Sequence, residues 1–423
     1  MPATVRCTAL ALLTIAPVLA QSPDAERWPT GHTRAGLTRA PERLNPYDDD
    51  PSHPANRLFR ALWTAALVPA EVAHVVPGEP ARELVEGWVH GKRAGRAEDH
   101  AVYGGDGRML PLEGLSPSQA EAAAADLAAL RPAIATLQRT PVLAVHLQND
   151  LLRAAERLLD IGQNLDLVPK LRDTALLLAL PADRLAELPD PLRLAAAGTD
   201  PALPAHELPT QVGGTATGFR EITRRSTRLF DAAHTLLWSR VFLRHPDGEA
   251  ALTAMLPTPG ATKGPSPTVP IGFAAVLVQG LVAVDDQGTP RATSLVVDVR
   301  TQRLHNRDPL GIGNPTFTRD GLDFGVWQLQ RRGLRSGEPR QFFRAVHADD
   351  LDLFRDYGTA KLTSYRAQCA LCHRVSDSPE PELAGFPVLR PHVQAAFAVT
   401  SEERLRLAEQ QVGTLLAKLR AAH

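Results

Sequence analysis

The spacing of apolar residues changes once along this chain, and that change limits the folds it can adopt. From Asn56 to about residue 241, apolar side chains recur every three or four positions, as on one face of a helix. From 271 to 346, runs rich in Val, Leu and Ala flank Asp285-Asp286-Gln287-Gly288, which predicts antiparallel strands and a hairpin. The 36 prolines fall mainly between the periodic segments, so the helices should be short. The sequence predicts an α+β fold that is mainly α.

Start and stop signals place the individual elements within that fold. Ser116 with Pro117 and Gln119 forms a capping box for a helix through Leu130. The other predicted helices run from Asn56 (as N-cap) towards Pro69, from about 147 to Gly162, from Thr174 to Leu188, from Ile222 to Val241, and onward from a capping box at Thr400 to Glu403. A turn at Ser336-Gly337 is predicted to join strands at 326–330 and 341–346. His146, His234 and Trp238 are each predicted to fill core positions within the helical bundle.

The first twenty residues have the pattern of a secretory signal peptide. Arg6 supplies a positive charge, and an apolar stretch of about 13 residues ends at Val18-Leu19-Ala20. That stretch is shorter than the roughly 20 residues that span a bilayer. The mature protein is therefore predicted to be periplasmic or otherwise exported, without an integral membrane segment. Cys7 is predicted to leave with the signal peptide.

Two cysteines then remain, in the pentapeptide Cys369-Ala370-Leu371-Cys372-His373, which is C-x-x-C-H. Positions i, i+3 and i+4 share one face of a helix. Two thiols can therefore reach the two vinyl groups of one porphyrin, with the His373 imidazole beneath the iron. This pattern is typical of c-type haem attachment.

Three other interpretations of the same residues stay open. The pair could be a redox dithiol, a small disulfide, or half of a zinc site with His373 and His392. A thioredoxin-like dithiol would need a βαβ context, which the surrounding sequence does not predict. A structural zinc site would usually need a second ligand pair, and no further cysteine is available after residue 372. Haem attachment is the favoured interpretation.

The last part of the chain resembles a shortened class I cytochrome c domain over about 65 of the 423 residues. The matching residues, in order, are Tyr365, Cys369, Cys372, His373, Pro381, Leu383 and Gly385. The resemblance implies one covalent haem c, with His373 as proximal ligand. It also implies that a carbonyl near Pro381 accepts the Nδ1–H of His373 and fixes its tautomer.

The sequence departs from the family pattern at the sixth iron ligand, because no methionine follows Cys372. His392 could bind the iron, giving bis-histidine coordination. Alternatively Met255, Met109 or His234 could reach it from the preceding domain, or the position could be open and held by water. A six-coordinate iron suits electron transfer, whereas an open iron suits peroxide or gas chemistry.

These features divide the chain into four predicted parts and indicate three possible classes of function. The predicted parts are a signal peptide (1–20), an irregular leader (21–55), an α-rich domain (56–348, with its β portion at 271–346) and a cytochrome c-like haem domain (349–423). The expected function is single-electron transfer to a redox partner protein, the alternative being a haem enzyme, peroxidase-like or substrate-oxidising. A cell-envelope interaction protein with an accessory haem is a third possibility. The balance of 46 basic and 47 acidic residues gives no reason to expect nucleic acid as a partner.

Overall fold

The computed structural model describes eleven stretches of the chain. These are residues 45–67, 101–104, 115–199, 203–222, 236–256, 269–304, 322–337, 342–346, 351–354, 361–364 and 401–422. The fold within them is mixed α and β. In these stretches no helix combines the length and apolar character needed to cross a membrane.

Helices occur throughout the described chain and are most frequent in its first half. They are α1 (Pro54–Trp63), α2 (Pro117–Leu130), α3 (Ile134–Leu137), α4 (Pro141–Ile161), α5 (Leu167–Leu177), α6 (Ala182–Ala186), α7 (Pro191–Leu194), α8 (Glu249–Met255), α9 (Arg331–Ser336) and α10 (Ser401–Ala421). Single helical turns occur at Arg131–Ala133, Ala195–Thr199, Ala205–Glu207 and Thr210–Val212. The predicted capping box at Ser116 is confirmed, since Ser116 and Gln119 exchange side-chain to backbone hydrogen bonds.

The strands form one antiparallel sheet and two small hairpins. The six-stranded sheet has the order β3 (Arg220–Ile222), β4 (Leu237–Arg244), β5 (Ala274–Val284), β6 (Pro290–Leu304), β7 (Leu322–Leu329) and β8 (Phe343–Ala345), each strand antiparallel to the next. The two-stranded pairs are β1 (Thr64–Leu67) with β2 (Ala101–Gly104), and β9 (Leu351–Phe354) with β10 (Lys361–Ser364). The predicted hairpin at Asp285–Gly288 is confirmed as the β5–β6 connection.

Helix α4 is the element that joins the helices to the sheet. Pro141 begins it, and Gly162 ends it with φ 68°, a left-handed conformation that suits glycine. The Gln148 side chain both accepts from the backbone N–H of Val284 (2.8 Å) and donates to the Val284 carbonyl (2.8 Å). This exchange satisfies both backbone groups at the end of β5 and fixes α4 against the sheet.

The last helix belongs to the same core as α4. Val412, Leu415, Leu416 and Leu419 of α10 are buried there, at the three- and four-residue spacing that predicts an apolar stripe on a helix. Arg172 of α5 donates through Nη1 to the Leu419 carbonyl (2.9 Å). A smaller apolar cluster lies apart from this core and consists of Ile222, Leu243, Leu252, Val269, Phe273 and Leu304, with Met255 half-buried against it.

Two predicted helices are corrected by the structure. The stretch predicted as helix up to Val241 instead contains β4, because pairing with β5 along its whole length outweighs the local helical spacing. The helix predicted over Thr174–Leu188 is broken between α5 and α6, with Pro181 at the break. There the Leu180 carbonyl accepts from Asp286 N (3.1 Å), which ties the break to the β5–β6 hairpin.

Two predicted boundaries are also wrong. Asn56 is not an N-cap, since α1 begins at Pro54 and ends at Trp63, well before Pro69. The Asn56 side chain instead bonds the backbone of residues 47, 48 and 50. The strands around Ser336-Gly337 pair as predicted, with Trp327 opposite Ala345. However, their connection contains α9, which Gly337 ends with φ 72°.

Replacing Gly280 by alanine should destabilise the fold by about 1–3 kcal/mol, through overpacking. A Cβ at this position would lie 2.2 Å from the Trp238 ring and 2.8 Å from the Leu295 carbonyl oxygen. The matched control is Gly413→Ala on α10, where the new Cβ meets nothing closer than 3.9 Å. That change should stabilise the helix by about 0.5–1 kcal/mol. Urea denaturation of both variants measures the difference, and equal effects would contradict this packing.

Candidate functional site

The predicted haem residues lie outside the part of the chain that the structure describes. This applies to Cys369, Cys372, His373, Pro381 and His392, and also to Met109 and His234. Met255 is described at the end of α8, where it packs against the smaller apolar cluster. Within the described stretches, no group of three or more His, Cys, Asp or Glu side chains could hold a metal ion.

A buried polar cluster lies where α1, α4 and α9 meet, and we call it the Arg331 cluster. Its members are Tyr47, Phe59, Trp63, His146, Asp150, Arg153 and Arg331. Asn56 positions the first of them, because its side chain accepts from the backbone N–H of Tyr47 (3.0 Å). The Tyr47 ring then meets the Phe59 ring edge-on, with centroids 5.9 Å apart.

An ion pair between α4 and α9 is the centre of the Arg331 cluster. Arg331 donates from both Nη atoms to Asp150, with Nη2 3.1 Å from Oδ1. The Tyr47 hydroxyl donates to Asp150 and accepts from Arg331 Nη1. The Arg331 and Asp150 side chains are only 6% and 4% exposed. A buried pair with this many hydrogen bonds tolerates the loss of neither partner.

Aromatic rings extend the Arg331 cluster along α1. The Arg331 guanidinium lies 5.4 Å from the Tyr47 ring centroid and 5.3 Å from that of Phe59. Phe59 stacks on Trp63 at 6.3 Å, and the Arg153 guanidinium lies 4.7 Å from the Trp63 ring. Cation–π contacts of this kind favour the buried positions of both arginines.

His146 lies one turn before Asp150 on α4 and is 2% exposed. Burial, and then the charge of Arg331, hold the pKa of His146 well below its usual 6.5. Its imidazole is therefore uncharged at neutral pH. The predicted core position of His146 is confirmed, but its buried Nε2 has no hydrogen-bond partner among the described residues.

Trp63 Nε1 is a second buried atom of the Arg331 cluster for which the described part of the chain supplies no hydrogen-bond partner. An unmade hydrogen bond at a buried polar atom costs about 1–3 kcal/mol, so two in one cluster are unusual. One of these atoms is an N–H donor, and the other belongs to an uncharged imidazole that can present a lone pair. These two atoms could therefore bind a ligand that accepts a lone pair from His146 Nε2 and a hydrogen bond from Trp63 Nε1.

Two open clefts also lie against the sheet. One, of about 180 Å³, is lined by Arg193, Trp238 and Arg240 among others. Arg240 bonds Glu221 through two nitrogens, Arg193 lies near Asp190, and Trp238 Nε1 donates to the Thr293 carbonyl. The other cleft, also of about 180 Å³, includes Glu207, which accepts a hydrogen bond from Thr301 (3.3 Å). These polar groups already have partners within the fold, whereas His146 Nε2 and Trp63 Nε1 have none among the described residues.

Sequence reasoning found two helices of this site, α1 and α4, and missed the ion pair that joins α4 to α9. His146, Asp150 and Arg153 lie at i, i+4 and i+7, a spacing that places polar residues on one face of α4 and could have indicated a buried polar site. Their partners could not be predicted, since Arg331 lies 181 residues from Asp150 and 284 from Tyr47.

Comparison of the chain with protein-family models, with curated proteins and with solved structures found no match.

Removing one member of the central ion pair should cost far more stability than removing both. Arg331→Met leaves the Asp150 carboxylate buried without its cation and should destabilise the fold by about 3–5 kcal/mol. The double variant with Asp150→Leu should recover a large part of that loss. As a control, Lys418→Met breaks the exposed pair with Asp160 and should cost at most about 1 kcal/mol. Urea denaturation gives each value, and additive losses in the double variant would contradict the coupling.

The uncharged state of His146 predicts a loss of stability in mild acid. Below pH 6.5 the unfolded chain binds a proton at His146 that the folded chain does not. The contribution is therefore complete above pH 6.5 and falls by up to about 1.4 kcal/mol per pH unit below it. His146→Gln should flatten the curve of unfolding free energy between neutral and mildly acidic pH. Identical curves for the parent and the variant would show that His146 is accessible to protons.

Proposed function

We propose that this chain is an exported c-type cytochrome that transfers single electrons through one covalently bound haem. The observation that carries the proposal is the pentapeptide Cys369–His373, whose two cysteines are the only ones left after the predicted signal peptide. Export supports it, because a periplasmic chain with a single C-x-x-C pair is not a disulfide scaffold.

Four residues of the chain would hold the cofactor. Each thiol of Cys369 and Cys372 would add across one vinyl group, forming a carbon–sulfur bond while the thiol hydrogen moves to the neighbouring carbon. No external oxidant is needed for that addition. His373 would bind the iron, and a carbonyl near Pro381 would orient the imidazole through its Nδ1–H. When bound, the haem supplies a one-electron Fe(III)/Fe(II) couple.

The remainder of the proposed mechanism concerns access to the haem. A cytochrome c-like module at 349–423 would exchange electrons with a redox partner protein, and the mixed α and β domain would pack over the haem or dock the partner. Rigid protein around the haem would keep the iron ligands in the same positions in both oxidation states, so that electron transfer would require little structural reorganisation. The buried, hydrogen-bonded Arg331 cluster is a rigid element of the kind this requires.

A haem enzyme, peroxidase-like or substrate-oxidising, is the second candidate, and one observation favours it. His146 is uncharged and close enough to Arg331 for that charge to lower its pKa. A base and an arginine are what peroxide chemistry requires on the open side of the iron. Both Nη atoms of Arg331 are engaged by Asp150, however, and Nη1 also by Tyr47. The electron carrier is therefore preferred.

Covalent attachment tests the proposed function. The full chain should be produced in a bacterial host with cytochrome c maturation, denatured, and extracted with acidified organic solvent. The haem should stay with the protein in the parent. It should be extracted or absent when Cys369→Ala and Cys372→Ala are combined. The control is Gly413→Ala, which leaves the pentapeptide intact and should retain the haem.

A parent protein that releases its haem into the solvent, or never acquires any, would overturn the proposed function. Zinc bound in place of haem, at one ion per chain, would favour the metal-site interpretation instead.

A further inference from the structure

The second cleft on the sheet has a basic side chain on each side of a small residue. Glu207 and Arg244 both line it, and we call it the Arg244 cleft. The strand register places Arg244 of β4 opposite Ala274 of β5, and Ala274 opposite Arg303 of β6. Residues directly opposite one another share a face of the sheet. Two arginines therefore flank one alanine on the floor of the cleft.

Arg244 has a charge that no described side chain neutralises. The residue is half-buried, and its guanidinium lies 4.9 Å from the centroid of the Phe219 ring. This cation–π contact favours the position of the guanidinium without using its hydrogen-bond donors. In the part of the chain that the structure describes, the Arg244 side chain forms no hydrogen bond and no ion pair. Its planar set of five donors, which matches the geometry of a carboxylate, is therefore available to a ligand.

Glu207 supplies the opposite charge in the same cleft. Its Oε2 accepts a hydrogen bond from Thr301, which lies two residues before Arg303, about 7 Å along β6. Its Oε1 lies 3.8 Å from His206 Nε2, which is too far for a hydrogen bond. Among the described residues, Glu207 and Arg244 line one cleft without forming an ion pair with each other. A ligand that has both a carboxylate and an ammonium group can bridge them.

The volume and the lining of the Arg244 cleft restrict the size of that ligand. A cavity of roughly 150 Å³ holds benzene, so about 180 Å³ suits a molecule of about six to eight non-hydrogen atoms. Phe219, Ala274 and Val276 provide apolar surface, which favours a short aliphatic group over a hydrated inorganic anion. The lining contains two arginines and one glutamate, and this excess of positive charge favours a ligand with a carboxylate.

We propose that the Arg244 cleft binds a small α-amino acid, such as alanine, serine or valine. The α-carboxylate accepts hydrogen bonds from the Arg244 guanidinium, and the α-ammonium group donates to Glu207 Oε1. The short side chain lies against Ala274 and Val276. This binding site is additional to the proposed electron transfer and does not depend on the haem.

Isothermal titration calorimetry of the full chain with L-alanine, L-serine and L-valine tests the site. At least one of them should bind, one molecule to each chain, with a dissociation constant below about 1 mM. Isobutyrate has a methyl group in place of the ammonium group of alanine, and L-alaninamide has an amide in place of the carboxylate. Each should bind about tenfold more weakly than L-alanine or worse, because each leaves one charge of the cleft without a partner.

Two variants assign the contacts. Arg244→Met keeps an unbranched side chain against Phe219 but removes the charge, and it should weaken binding of the amino acid by about tenfold or more. Glu207→Gln should reduce the preference for L-alanine over isobutyrate by about tenfold. That ratio does not depend on the fraction of the variant that is folded. The matched control is Arg193→Met, which removes an exposed arginine from the other cleft and should leave the affinity unchanged.

The proposal would be overturned if none of the three amino acids bound at millimolar concentrations. It would also be overturned by inorganic phosphate that binds more tightly than the amino acids, or by isobutyrate that binds as tightly as L-alanine. An affinity that Arg193→Met lowers and Arg244→Met does not would place the ligand elsewhere. Since calorimetry measures binding of an amino acid and not attachment of haem, each of these results is separate from the test of the proposed function.

Discussion

The buried ion pair between Asp150 and Arg331 is the interaction on which the arrangement of the helices depends. It joins α4 to α9, which lies between the strands β7 and β8 of the sheet, and Tyr47 adds the leader segment to the same pair. Desolvating two charges costs several kcal/mol for each ion, and only complete hydrogen bonding offsets that cost. The ion pair therefore favours one arrangement of α4, α9 and the segment that contains Tyr47. If one of these segments moved relative to the others, a charged side chain would be buried without its partner.

The sheet and the long helices depend on a second polar contact, made by Gln148. Its amide replaces the backbone partner that Val284 lacks at the end of β5. Around this point the apolar side chains of α4, α5 and α10 cover one region of core that is continuous with the sheet. The two polar contacts lie on different faces of α4, so this helix is fixed on both sides. His146 is carried on the same helix, and among the described residues its buried Nε2 has no hydrogen-bond partner.

The sequence predicted those parts of the fold whose signals are local. The capping box at Ser116, the hairpin at Asp285–Gly288 and the apolar stripe of α10 were predictable because neighbouring residues determine them. Strand β4 was not, because pairing with β5 decides its conformation rather than its own apolar spacing. The Arg331 cluster was predictable only on α4, since no local rule relates residues 47, 150 and 331. The pentapeptide, by contrast, is a chemical signal that a sequence carries without any fold, and the haem that it implies stays a prediction.

The proposed function depends on the pentapeptide, which offers two thiols and an imidazole at the spacing of a haem attachment site. Mass spectrometry of the denatured protein, produced where haem can be attached, tests that proposal. The account predicts a chain beginning at Gln21 whose mass is increased by one haem, located on the peptide that contains Cys369 and Cys372. The mass of the bare polypeptide would contradict it.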